Sequence, residues 1–238
     1  MKFLSLVFLF SCCATFKPSH PQAVAQVEPP AEECEQPTAA PPAAPVIAPG
    51  APVMVTVETF DEAAVGGVVD KLQALAKEGH SEIWVKLNTN GGSVGGMHTL
   101  SMAMETLGQP VTCVADWHAY SAGAYLLESP GCTTRYMTKR STILFHEALT
   151  EAQGNIHQLA RDAAMLKALT DSIVDQTSER MGMTEDAFQA QIENKEWTLD
   201  YKEALKWHAI DGIVSPLKLP PLVAVEAKKS LLQILLGG

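Results

Sequence analysis

Val111-Thr-Cys-Val-Ala-Asp-Trp-His-Ala-Tyr-Ser121-Ala-Gly-Ala-Tyr-Leu-Leu127 is an apolar run that breaks into a cluster of small residues around one serine. Val111 to Ala115 reads as a strand and Ser121 to Glu128 as a short helix, so Ser121 stands at a strand-to-helix turn. Small residues at 119, 122, 123 and 124 allow that turn to be sharp. A sharp turn exposes the hydroxyl and carries the following amide to where it can donate to an oxyanion. Taken alone, a serine opening a helix is more often only its cap. A full Gly-x-Ser-x-Gly is also missing, because Ala119 stands at the first glycine position.

Downstream, Ile143-Leu-Phe-His146 ends an apolar strand on a histidine, which a parallel sheet would deliver to its carboxyl edge, where α/β folds gather their chemistry. An isolated histidine at a strand end is usually an ordinary polar terminus, and the pairing with Ser121 is what gives it weight. Upstream, Ile83 to Leu87 alternates as a strand and runs into Asn88-Thr-Asn-Gly91-Gly92-Ser93. Two glycines can adopt positive φ and present bare amides at close range. Most such pairs are merely turns. A phosphate cradle would want a lysine and a Walker spacing, and both are absent.

The remaining periodicities complete an α/β pattern. Val53 to Val57 reads as a strand, and Thr59-x-x-Glu62 as a capping box before a helix with Val65, Val68, Leu72 and Leu75 on one face. Residues 94–107 carry Val94, Met97, Leu100, Met104 and Leu107 at helical spacing, and a helix over 155–181 carries Ile156, Leu159, Ala163, Leu166, Leu169, Ile173 and Val174. That helix is either a core element or a projecting arm that packs on another subunit. Thr184 caps a further helix, and Asp200-x-x-Glu203 caps one ending near Trp207. Strands alternating with helices imply a parallel sheet with right-handed crossovers.

Outside this domain, residues 1–17 open with Lys2 followed by a short apolar run, the plan of an export signal. Leu9-Phe-Ser-Cys12 is similar to a lipobox, which would make Cys12 a lipid anchor; simple cleavage is the alternative. Residues 18–52 are Pro- and Ala-rich and read as an extended linker, and 217–238 as a tail after a domain at 53–216. The chain is thus expected to be exported, periplasmic or membrane-tethered, and cytoplasmic if the leader does not function. Cys113 reads as a small core hydrophobe, with a Cys113–Cys132 bridge open to an exported chain. A net charge of −10 without any basic stripe argues against nucleic acid, and no metal-ligand spacing or cofactor motif is present.

Taken together, Leu87-Asn-Thr-Asn-Gly91-Gly92-Ser-Val, Tyr120-Ser121-Ala-Gly-Ala-Tyr-Leu-Leu127, Ile143-Leu-Phe-His146 and Glu203-Ala204…Ile210-Asp211-Gly-Ile resemble the Clp protease proteolytic-subunit family over residues 54–214. The resemblance implies a ClpP/crotonase-like α/β fold of repeated ββα units with a parallel sheet and a protruding handle helix at 155–181. It implies a serine endopeptidase with Ser121 as nucleophile, His146 as base, and the amides of Gly92 and Ala122 as oxyanion hole. It also implies a polypeptide substrate and a homo-oligomer, with heptameric rings among the arrangements open. Counting back from Glu203-Ala204, the family's third triad residue, an aspartate, falls on Glu196. Asp200 competes but reads better as a helix cap, and a dyad without an acid stays open. His208 stands where the family has a glycine, a place where histidine can still take a left-handed turn. A leader and stalk replace the family's axial-loop region, which argues against docking to an ATPase unfoldase. The rival classes are a catalytically silent scaffold of the same fold and, behind it, an acyl-CoA enzyme of the crotonase type.

Overall fold

The computed structural model describes residues 50–149 and 153–224. The leader, Cys12 and nearly all of the linker lie outside the described residues, as does the tail beyond 224.

Three parallel neighbours begin the sheet, β1 (Val53–Val57) at its edge, then β2 (Ile83–Thr89) and β3 (Val111–Tyr120). Val85, Leu87, Val111, Cys113 and Ala115 are fully buried, as expected of strands covered on their inner face by helices. The covering helices are α1 (Glu62–Glu78), α2 (Val94–Glu105) and the short α3 (Ala122–Leu127). α1 is capped by Asp61, whose side chain accepts from the Ala64 amide, and not by Thr59. Aspartate one residue before the helix reaches the amide of the third helical residue directly, so no capping box is needed.

β3 is twice the expected length. Its first half pairs with β4 (Thr134–Met137), and its second half with β5 (Thr142–Phe145). Between the halves the register to β2 slips, since Leu87 faces Ala115 while Thr89 faces Ala119. The extra residues include Asp116 and an exposed Trp117 at φ 82, a bulge held by the Trp117 amide donating to Ser141 Oγ at 2.8 Å. This kink lets one strand serve two partners. β5 in turn receives β6 (Trp197–Leu199) antiparallel, and β4 receives β7 (Gly212–Ile213).

α4 (Ile156–Met181) is capped by an Asn155/Gln158 box and ended by Gly182. Its last turns bury Ile173, Val174 and Met181 in the core, whereas Ile156 and Met165 in its first half are exposed. α5 (Glu185–Ile192) follows, capped by Thr184. α6 (Tyr201–Lys206) carries the expected Asp200/Glu203 box, and His208 beyond it takes φ 56. Cys113 and Cys132 are joined in a fully buried disulfide with Cα atoms 5.4 Å apart. After α6 the chain returns to the outer edge of β1. There the Met54 amide donates to the Pro221 carbonyl and the Val223 amide to the Met54 carbonyl.

Candidate active site

β2, β3 and β5 are parallel neighbours, so Gly91-Gly92, Ser121 and His146 emerge from the same sheet edge. Ser121 extends the ladder by one bond, its amide donating to the Leu144 carbonyl at 2.8 Å. Its backbone then turns abruptly to φ 52 and ψ −121, and α3 begins at the next residue. Such a conformation costs a non-glycine residue about 1–3 kcal/mol and persists only where the surroundings impose it. The hydroxyl makes no capping bond to the helix it precedes. Ser121 is therefore not there as an N-cap.

Gly91 lies against this turn at φ 102. A Cβ on it would sit 2.7 Å from Ser121 Cβ, 2.8 Å from the Tyr120 carbonyl and 3.1 Å from the Ala122 amide nitrogen. Only glycine admits that approach. The Gly91 amide is already committed, donating to Thr89 Oγ1 at 3.0 Å. Gly92, at φ 141, has an amide with no hydrogen bond among the described residues. Ala122 opens α3, where first-turn amides lack an intrahelical acceptor. Two unoccupied donors thus belong to the two segments that meet at Ser121.

Ser121 and His146 line one cavity of about 20 Å³, closed by Tyr125, Met97, Ile173 and Val174. No hydrogen bond joins the hydroxyl to the ring; catalytic bonds are often long before substrate binds. His146 Nδ1 meets the Glu147 carbonyl at 2.5 Å. A carbonyl only accepts, so in the neutral ring Nδ1 carries the proton and Nε2 keeps the free lone pair. Tyr125, one helical turn after Ser121, donates its hydroxyl to the His146 carbonyl at 2.7 Å. Burial first, and then the Glu147 charge, hold that phenol far above its ordinary range, so it stays a donor.

β6 pairs Trp197 with Phe145, so Glu196 and His146 occupy the next facing positions. Glu196 is exposed and makes no hydrogen bond to the ring. Asp200 is occupied elsewhere, accepting from the amides of Lys202 at 2.8 Å and Glu203 at 2.9 Å. Tyr125 and Glu147 carry contacts that the sequence did not single out. Their only signal was position, one turn after the serine and one residue after the histidine.

Below the site, Glu128 at the end of α3 is wholly buried and ion-paired with Arg135 of β4, which also grips Asp211 at 2.7 Å. Burial pushes the Glu128 carboxyl up to about 8, with Arg135 pulling it back. Burial also raises Asp211, but the Arg135 hydrogen bonds outweigh it and hold that carboxyl low. Arg180 of α4 completes the group by donating to the Cys132 carbonyl at 2.6 Å. The helix that follows Ser121 is thereby fastened to β4, the disulfide and α4.

On a forked parallel sheet, a strained serine at the head of a helix stands between a glycine turn on one neighbouring strand and a histidine on the other, the framework a serine hydrolase would need. The Clp protease family profile matches residues 51–216, and the chain belongs to that family. The match supports peptidase function in general. Relatives are distant. The chain is 27% identical to the ATP-dependent Clp protease proteolytic subunit 2 of Cutibacterium acnes over 158 residues, 66% of this chain and 74% of that one. It is 25% identical to the same-named subunit of Bacillus licheniformis over 162 residues, covering 68% and 85%. With the Bifidobacterium longum subunit it shares 24% over 144 residues, covering 60% and 69%.

Proposed function

We propose that this chain is a serine endopeptidase in which Ser121 attacks a peptide carbonyl and His146 Nε2 takes the hydroxyl proton. The amides of Gly92 and Ala122 stabilise the tetrahedral oxyanion; His146 then protonates the leaving amine, and water resolves the acyl-enzyme. Glu196 orients the imidazole once the ring turns from the Glu147 carbonyl toward the facing strand. The observation that carries this reading is the strained Ser121 backbone, with Gly91 pressed against it and His146 in the same cavity.

Assembly into a homo-oligomer is supported by the uncovered apolar residues on the first half of α4 and by the subunit naming of the relatives. Export is supported by the buried disulfide, a bond that persists in oxidising compartments. Lipidation of Cys12 would then tether the domain through its Pro-rich stalk. Labelling with a fluorophosphonate tests the chemistry: wild type is expected to label and Ser121→Ala not, and equal labelling ends the assignment. The unmade Ser121–His146 bond is what a catalytically silent scaffold would rest on, and an unlabelled wild type would favour that reading.

A further inference from the structure

Glu147 stands next to the proposed base, yet its side chain points at the segment bearing the proposed acid. Its carboxylate accepts from the Asn194 amide at 2.8 Å and from Gln189 Nε2 at 3.5 Å. Asn194 sits two residues before Glu196 and takes a left-handed φ of 55. Around it the α5 end is tightly folded, with the Glu193 amide donating to Gln189 and the Lys195 amide to Ile192. One carboxylate therefore ties the α5–β6 turn to the end of β5. From the other side, Tyr125 ties the same strand end to the nucleophile helix. The residue pair His146-Glu147 is thus anchored to both other elements of the site, within a single chain.

We infer that Glu147 is a positioning residue, acting through Glu196: it fixes the turn that sets where the acid meets the imidazole. β6 is only three residues long, and without this tether nothing else among the described hydrogen bonds links residues 193–196 to β5 before Phe145 meets Trp197. The role depends on reach more than on charge, because the acceptor must span the gap to a backbone amide. The inference rests on the Ser121–His146–Glu196 reading, and its test is chosen to fail separately from that reading.

The test compares Glu147→Gln, which keeps the reach and an acceptor oxygen, with Glu147→Asp, which keeps the charge but withdraws it by one methylene. Glu147→Asp is expected to lower kcat on a fluorogenic peptide by about 10- to 100-fold with KM within about twofold, the cost of a misplaced catalytic group. Glu147→Gln should recover to within about threefold of wild type. In a Glu196→Gln background, Glu147→Asp should add no further loss, since both changes break the same coupling. An active Asp variant with an impaired Gln variant, equal effects of the two, or an undiminished loss in the Glu196→Gln background would each overturn the inference. Hydrogen exchange at the Asn194 amide reads the tether without turnover. Faster exchange in the Asp variant but not the Gln variant upholds it even where wild type is inert, a result that would remove the peptidase reading alone. Unchanged exchange in both overturns the tether.

Discussion

Gly91→Ala puts a methyl group into the seam where the glycine turn meets the proposed nucleophile. The backbone there stands at φ 102, and left-handed geometry costs an alanine roughly 1–2 kcal/mol. The new Cβ would lie 2.7 Å from Ser121 Cβ and 2.8 Å from the Tyr120 carbonyl, both fixed atoms and not flexible side-chain ends. Overpacking of this kind adds about 1–3 kcal/mol, so the variant is expected to lose about 2–5 kcal/mol of stability. Any relief comes by moving Ser121 and Ala122 away, which withdraws a donor from the oxyanion. Loss of one such donor is worth about 3 kcal/mol, on the order of a hundredfold in rate. Gly79→Ala is the control, since Gly79 has a similar φ of 76, no atom within 4 Å, and lies at the opposite, amino edge of β2. It should lose only the backbone cost and keep its labelling rate. Urea unfolding and the rate of fluorophosphonate labelling measure both quantities. A Gly91→Ala protein that labels as fast as Gly79→Ala, with equal stability, would refute the close approach of the two segments.

Other consequences are open to direct measurement. Reducing the Cys113–Cys132 bond, which spans 19 residues, should cost about 3 kcal/mol, or roughly 6–12 °C in Tm; thermal scans with and without reductant check this, and identical curves would argue against the bond. Glu128 binds its proton more tightly when folded, so its contribution to stability is complete below about 4.5 and is lost as pH rises through about 8. Urea midpoints of wild type should fall across that window while those of Glu128→Gln stay flatter; parallel curves would contradict the raised carboxyl. Tyr125→Phe removes the hydroxyl that donates to the His146 carbonyl. It should cost about 1 kcal/mol of stability and slow labelling about tenfold, and unchanged labelling would show that the bond does not hold the base in place.

Much of this site was legible because its parts obey local rules. Alternation in 83–87 and the apolar run 143–145 marked strands, the first leading into the Asn/Gly turn with Gly91-Gly92 and the second ending on His146. The Asp200/Glu203 box was equally plain, and it is what occupies the rival acid. β4 escaped notice because Thr134-Arg-Tyr-Met137 carries a buried arginine at a core-facing position, which breaks the apolar pattern; only Glu128 and Asp211, distant in sequence, make that arginine tolerable. The second half of β3 was hidden by Asp116 and Trp117, which look like the end of a strand and are its bulge. β6 is too short to show a period at all. Glu147 and Tyr125 could not be read because their partners are a backbone amide 47 residues away and a backbone carbonyl 21 residues away, which leave no trace in residue type.

The segment at 221–223 has a practical bearing on how this domain is handled. It occupies the outer rim of the sheet, where an open strand would otherwise offer its amides and carbonyls to any neighbouring molecule. The family match stops at 216, short of this guard. A protein shortened to the matched boundary would keep every residue discussed for chemistry and yet bare the β1 rim, and it should clump in proportion to concentration, whereas one ending after Ala224 should not.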